Sequence, residues 1–138
     1  MADSRTPRIL FVCIENSCRS QMAEGFARSL GGSRVEVWSA GSRPSGQVHP
    51  EAVRVMGEKA IDLAAHRSKG LDAVPKEPFD YVISLGCGDA CPQMPAKRRV
   101  EWQIPNPAGQ SLDFFREVRD QIEGHVRQLL LMIQDMGK

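Results

Sequence analysis

The chain has 138 residues, 41% of them hydrophobic, and carries a formal net charge of +1 at pH 7, which suits one domain with its own core over residues 1–138, the first seven flexible. Eighteen basic residues against 17 acidic ones give no electrostatic reason to expect nucleic acid or an anionic membrane as partner. No run approaches the ~18 apolar residues of a membrane span, and the polar start, Met1 to Arg8, lacks a signal-peptide core, so the expected setting is the cytoplasm.

In chain order, Ile9 to Val12 reads as a buried strand. Ser17 to Leu30 reads as a helix with Met22, Phe26, Ala27 and Leu30 on one face, closed by Gly31-Gly32. Val35, Val37 and Ser39 alternate as a second strand. Pro50 suits the first turn of a helix running to about Lys59, with Val53, Met56 and Ala60 inward. Phe79 to Leu85 is a third strand, and Val100, Trp102 and Ile104 alternate as a fourth. Ser111 caps a long last helix with Phe115, Val118, Ile122, Val126, Leu129 and Ile133 on its inner face. That stripe reads as core rather than interface, so a monomer is expected. Strands alternating with helices imply parallel βαβ units, four strands covered on both faces. Ligands bind such sheets beyond the carboxyl ends of the strands. Cys13, Cys87 and Asn106 all follow strands and should gather there.

The segment Cys13-Ile14-Glu15-Asn16-Ser17-Cys18-Arg19-Ser20 joins the first strand to the first helix. A sharp strand-to-helix turn leaves backbone N–H groups unpaired and aimed into the turn, where the macrodipole adds positive charge. A cysteine facing those groups and a fixed cation is held as a thiolate at neutral pH. Arg19 can return across the loop and grip two oxygens of phosphate, arsenate or sulfate with its planar fork. Ser17 and Ser20 are placed to donate to the sulfur or the ligand. The blander alternative is a buried cysteine ending a strand.

Four cysteines in a reducing compartment point to catalysis, redox chemistry or metal rather than structural disulfides. Cys87 and Cys91 lie in the glycine-rich stretch Gly86-Cys87-Gly88-Asp89-Ala90-Cys91-Pro92. C-x3-C without a second Cys or His pair makes a poor zinc site, and His49, His66 and His125 show no ligand spacing, so neither a metal nor another cofactor is expected. A redox relay fits better. A thiolate bonded to a reducible oxyanion needs a second thiol to attack its sulfur and a third to carry the disulfide outward. Gly86 and Gly88 would let the loop deform between partners.

Val12 to Gly25 resembles the active-site loop of arsenate reductases built on the low-molecular-weight protein tyrosine phosphatase fold. The likeness continues through Trp38-Ser39-Ala40-Gly41, His66-Arg67-Ser68-Lys69, the Gly86 to Pro92 segment and the last helix. It implies a flavodoxin-like three-layer fold with a four-stranded parallel sheet and reduction of arsenate to arsenite in arsenic detoxification. By motif, Cys13 is the nucleophile, Ile14 to Ser20 form the oxyanion loop, and Arg19 holds the anion. Ser20 stabilises the thiolate. Cys87 attacks Cys13 to release arsenite, and Cys91 takes over the bond as Cys87–Cys91. An external thiol donor then reduces that bond: thioredoxin, a glutaredoxin or a mycothiol system. Cys18 is not needed for the relay.

Two positions depart from the pattern. Asn106-Pro107 stands where relatives carry an aspartate before proline as general acid. An amide cannot donate that proton, which costs phosphatase activity most, since general acid catalysis contributes about 10² to 10⁴-fold. Asn106 also suits a plain turn before proline. Asn16, Glu24 and Ser39 resemble three members of a potassium site, but Lys69 replaces the fourth, an aspartate, and can pair with Glu24 in place of the ion. The alternatives are a low-molecular-weight phosphatase acting on phosphotyrosine or small phosphoesters, and a non-catalytic oxyanion-binding or redox-sensing protein.

Overall fold

The computed structural model describes residues 6–86 and 95–136, so Cys87, Asp89 and Cys91 lie outside the described residues. Four strands, β1 (Arg8–Cys13), β2 (Glu36–Gly41), β3 (Phe79–Leu85) and β4 (Ala96–Trp102), form a parallel sheet in the order β2-β1-β3-β4. Three helices accompany them: α1 (Arg19–Gly31), α2 (Pro50–Gly57) and α3 (Leu112–Met136). β1 lies in the middle because Ile9 to Val12 is apolar on both faces and almost wholly buried, as inner strands of a parallel sheet must be. The sheet order changes direction beside it, so the end of β1 opens into the crevice where such folds bind ligands.

The α/β architecture with a four-stranded parallel sheet is the one expected. The larger core packs Phe11, Ile83 and Trp102 of the sheet against Met22 and Phe26 of α1, Val55 and Met56 of α2, and Phe115, Val118, Ile122 and Val126 of α3. On the other face Leu10, Val12, Ala40 and Val82 form a smaller cluster, closed by Val74, Phe79, Trp38 and Leu71 of the short 3-10 turn Leu71–Ala73. Three layers result, the third of them thin.

Several boundaries differ from expectation, each for a physical reason. α1 begins at Arg19 rather than Ser17, because the preceding residues build the loop. α2 stops at Gly57, and Ala60, expected inward, is exposed with φ at +62°; Met56 is buried and Val53 packs against the core as expected, and Ala52 and Val55 complete the buried stripe. β4 starts at Ala96, four residues before Val100, and Val100 is exposed while Ile104 lies buried beyond the strand's end. Lys97, Arg98 and Arg99 hide this strand from a reading based on alternation, yet charge suits an edge that must not pair with another chain. Ser111 caps α3 as expected, its Oγ accepting from the Phe114 N–H at 3.2 Å.

Candidate active site

Cys13 ends β1, and the chain turns through Ile14 to Cys18 into α1. What shapes this turn is the direction of its carbonyls. Those of Cys13, Ile14 and Glu15 accept from the backbone N–H groups of Ser42, Arg43 and Ser45 at 3.3, 2.8 and 3.3 Å. Glu15 O also accepts from Ser68 Oγ at 2.7 Å. Asn16 O accepts from Gln21 Nε2 at 3.3 Å, and Ser17 O from the His49 N–H at 2.9 Å. In a peptide plane the C=O and the following N–H point opposite ways. Five carbonyls tied outward therefore turn the N–H groups of Ile14 to Cys18 inward, where α1 adds the positive end of its dipole. The loop has the shape and partial charge that an anion cradle needs.

Close approach of the following segment makes this possible. A Cβ on Gly41 would lie 2.5 Å from the Ile14 oxygen and 2.8 Å from the Asn16 nitrogen. Only glycine lets β2 hand its chain across the back of the loop.

Asn16 organises the interior. Its φ is +53°, a left-handed conformation that asparagine tolerates better than most residues. Its Oδ1 accepts from the Lys69 N–H and from Gln21 Nε2, each at 2.9 Å. That fixes the amide orientation, so Nδ2 must donate to Ser20 Oγ, 2.7 Å away. The Ser20 hydroxyl proton is then directed to Cys13 Sγ, at 2.9 Å. Gln21 is locked in turn: Nε2 donates to Arg67 O at 2.9 Å, and Oε1 faces His66 Nδ1 at 3.0 Å, which selects the Nδ1–H tautomer of the histidine.

Arg19 is buried and donates through NH1 to Ile104 O at 3.1 Å. Gly86, with φ at +75°, leaves that route open, since a Cβ there would collide with both the guanidinium and the Ile104 carbonyl. Flexibility was the expected reason for this glycine; room for Arg19 is what the described structure gives it. Cys13, Ile14, Glu15, Ser17, Cys18, Arg19, Arg43 and Asn106 line one cleft of about 240 Å³. Ile14, Arg19, Gly86, Gln103, Ile104, Pro105 and Asn106 line a second, of about 460 Å³. Cys13 and Asn106 are thus brought to one site, as strand-end positions should be. The Asn106 Oδ1 accepts from the Ala108 N–H at 3.1 Å, a turn-forming bond that leaves the amide NH₂ as its donor group.

Cys18 is buried, and burial pushes its thiol up to about 11, against the opposing effect of the Ser17 hydroxyl 3.9 Å away. It is a thiol at neutral pH. Ser17 thus faces Cys18, whereas Ser20 serves Cys13.

Lys69 and Glu24 do meet. Buried Glu24 accepts from Ser39 Oγ and, at 2.7 Å, from Arg28 Nε; Lys69 Nζ stands 3.6 Å from its Oε1 and 3.2 Å from Ser39 Oγ. The ammonium sits where an ion would otherwise balance the carboxylate. Gln21, His66 and Ser68 were not identified as site residues in the sequence, although a buried amide on an apolar helix face is a signal that a polar network lies behind it. His49 caps α2, Nδ1 accepting from the Glu51 N–H at 3.1 Å, and His125 stacks on Trp102, so both serve the fold.

Residues 8–138 match the family of low molecular weight phosphotyrosine protein phosphatases. The chain is 42% identical over 129 residues to a glutaredoxin arsenate reductase of Synechocystis sp., spanning 91% of this chain and 98% of that one. It is 41% identical over 124 residues to arsenate reductase 2 of Staphylococcus saprophyticus, spanning 87% and 93%. An arsenate reductase solved in a phosphate binding state superposes with a TM-score of 0.82 at 41% identity, covering 92% of this chain and 98% of the other. A thioredoxin-dependent arsenate reductase of Corynebacterium glutamicum does so with a TM-score of 0.77 at 34% identity, covering 95% and 63%. The cradle, the sheet and these relatives agree: the chain belongs to the low-molecular-weight phosphotyrosine protein phosphatase family, among the arsenate reductases built on that fold.

Proposed function

We propose that the chain reduces arsenate to arsenite. The observation that carries this reading is the cradle: inward N–H groups, buried Arg19 and a Cys13 sulfur that receives the Ser20 hydroxyl. Arsenate binds with its oxygens on the loop amides and the Arg19 fork. The Cys13 thiolate attacks arsenic, an S–As bond forms, and the displaced hydroxide takes a proton from solvent. Cys87 as thiolate attacks the Cys13 sulfur. The S–As bonding pair stays on arsenic, which leaves as As(III), and Cys13–Cys87 is the disulfide formed. Cys91 then attacks Cys87, frees Cys13 as thiolate and leaves Cys87–Cys91 to an external dithiol.

Asn106 bears on substrate class. Its amide supplies a hydrogen bond but no proton, so a phosphoester must expel a poor alkoxide or phenolate unaided, whereas arsenate exchanges its oxygens readily. Phosphatase activity is therefore the weaker reading. The oxyanion and a thiol donor are the partners; the named relatives differ between glutaredoxin and thioredoxin, and the chain itself does not select one. The inner stripe of α3 is spent in the core, which supports a monomer. No helix among the described residues is long and apolar enough to cross a membrane, and a dithiol-driven cycle suits the reducing cytoplasm.

Mass spectrometry after arsenate treatment tests the relay. Wild type should yield Cys87–Cys91, and Cys91→Ala a trapped Cys13–Cys87 bond. Reduced cysteines in both after arsenate exposure would refute the sequence of steps.

A further inference from the structure

Arg43 follows β2, in the segment that crosses the back of the cradle. Its backbone N–H donates to the Ile14 carbonyl at 2.8 Å, which pins its Cα beside the loop. Its side chain is exposed and lines the same cleft as Cys13, Arg19 and Asn106. Three other guanidiniums are committed elsewhere, Arg19 to the Ile104 carbonyl, Arg28 to Glu24 and Arg119 to Glu58. Among the described residues the Arg43 guanidinium has no such partner.

Charge decides what it is for. The cleft sets the Cys13 sulfur and the Glu15 carboxylate against one buried guanidinium, Arg19. A doubly charged oxyanion entering that set adds negative charge beside a negative nucleophile, and the loop amides supply only partial charges in compensation. A planar fork at the rim can reach oxygens that Arg19 and the loop leave uncovered.

Resting on the reading of the cleft as an oxyanion site, we propose that Arg43 is a second substrate-binding cation. Its guanidinium closes over the outer oxygens of the bound oxyanion from the cleft's open side. Arg19 anchors the anion from within the fold; Arg43, exposed at the rim, holds it from the solvent side.

The probe is inorganic phosphate, read through the protection it gives Cys13 against iodoacetamide, in wild type, Arg43→Ala and Arg43→Lys. Arg43→Ala should weaken phosphate about tenfold, as loss of a charge-assisted contact does. Arg43→Lys should recover part of the loss by restoring charge without the fork. The difference between wild type and Arg43→Ala should shrink at about 0.5 M salt, because the contact is exposed and screened. The melting temperature should not move. Phosphate binding by Arg43→Ala within about twofold of wild type would overturn the proposal, as would a loss that salt leaves undiminished or that comes with a fall in melting temperature. Failure of phosphate to protect the wild type would bring down the oxyanion reading together with the role of Arg43. Normal protection that depends on Arg43, with no arsenite formed from arsenate, would sustain the second cation and sink only the reduction.

Discussion

The Ser20 hydroxyl donates a hydrogen bond to Cys13 Sγ across 2.9 Å because Asn16 Nδ2, a group that can only donate, occupies the oxygen from the other side at 2.7 Å. Hydrogen bonds to charged groups contribute about 1.5–3 kcal/mol. Ser20→Ala should therefore slow Cys13 alkylation by iodoacetamide at neutral pH by roughly tenfold or more. Asn16→Ala should do the same less directly, by freeing the hydroxyl to rotate. An unchanged alkylation rate in Ser20→Ala would mean that the cradle amides alone hold the thiolate.

Cys18, five residues from Cys13, should resist alkylation. With its thiol pushed up to about 11 by burial, Cys13→Ser protein should show almost no alkylation of Cys18 below pH 9, rising as the pH approaches 11. The linkage follows the same sign. An unfolded cysteine ionises at lower pH than the folded one, so above the ordinary cysteine range the unfolded state binds fewer protons and stability falls as pH rises through about 11. Cys18→Ala should flatten that alkaline limb, measured by denaturant midpoints across pH 8 to 11.

Gly41 is where the two halves of the loop touch. Gly41→Ala would place a methyl 2.5 Å from the Ile14 oxygen, and the backbone cannot yield without turning carbonyls back toward the cradle. A loss of about 2 kcal/mol or more in stability is expected, with phosphate protection of Cys13 abolished. Retention of phosphate protection would show that the cradle tolerates the shift.

Lys69 and Arg28 together neutralise Glu24, which is 4% exposed. Lys69→Met leaves one oxygen of a buried carboxylate facing only the Ser39 hydroxyl and should destabilise the fold by about 1–2 kcal/mol. Because the ammonium already fills the place of an ion, wild type should melt at the same temperature in potassium and in sodium at equal ionic strength. A clear rise with potassium would contradict that assignment.

The strand-to-helix turn was legible in the sequence because its parts are local: an apolar run, a cysteine, six residues and an arginine. The core stripes of α1 and α3 were legible for the same reason, as was β3, whose bounds agree residue for residue. The fourth strand was legible at Val100 and Trp102 but its start was not, since Lys97 to Arg99 carry the charge of an edge rather than the alternation of a buried strand. Nor was the scaffold behind the loop. Ser42, Arg43, Ser45 and His49 act through backbone N–H groups, which side-chain identity does not encode. The roles of Gly41 and Gly86 arise from close approach by chains distant in sequence. Lys69 was legible only as a departure from a pattern, and its meeting with Glu24 required the fold. Cys87 and Cys91, read from the sequence as the resolving thiols, lie outside the described residues.

The central claim, reduction of arsenate through a thiol relay from Cys13, is tested most directly by arsenite production. The assay supplies arsenate with thioredoxin, thioredoxin reductase and NADPH, and in parallel with glutaredoxin and mycothiol systems, for wild type, Cys87→Ser and Asn106→Asp. Para-nitrophenyl phosphate hydrolysis is followed alongside. The account predicts turnover with at least one donor, its loss in Cys87→Ser, and a rise in phosphate-ester hydrolysis in Asn106→Asp. No arsenite from wild type with any donor, despite a Cys13 that iodoacetamide alkylates and phosphate protects, would contradict it.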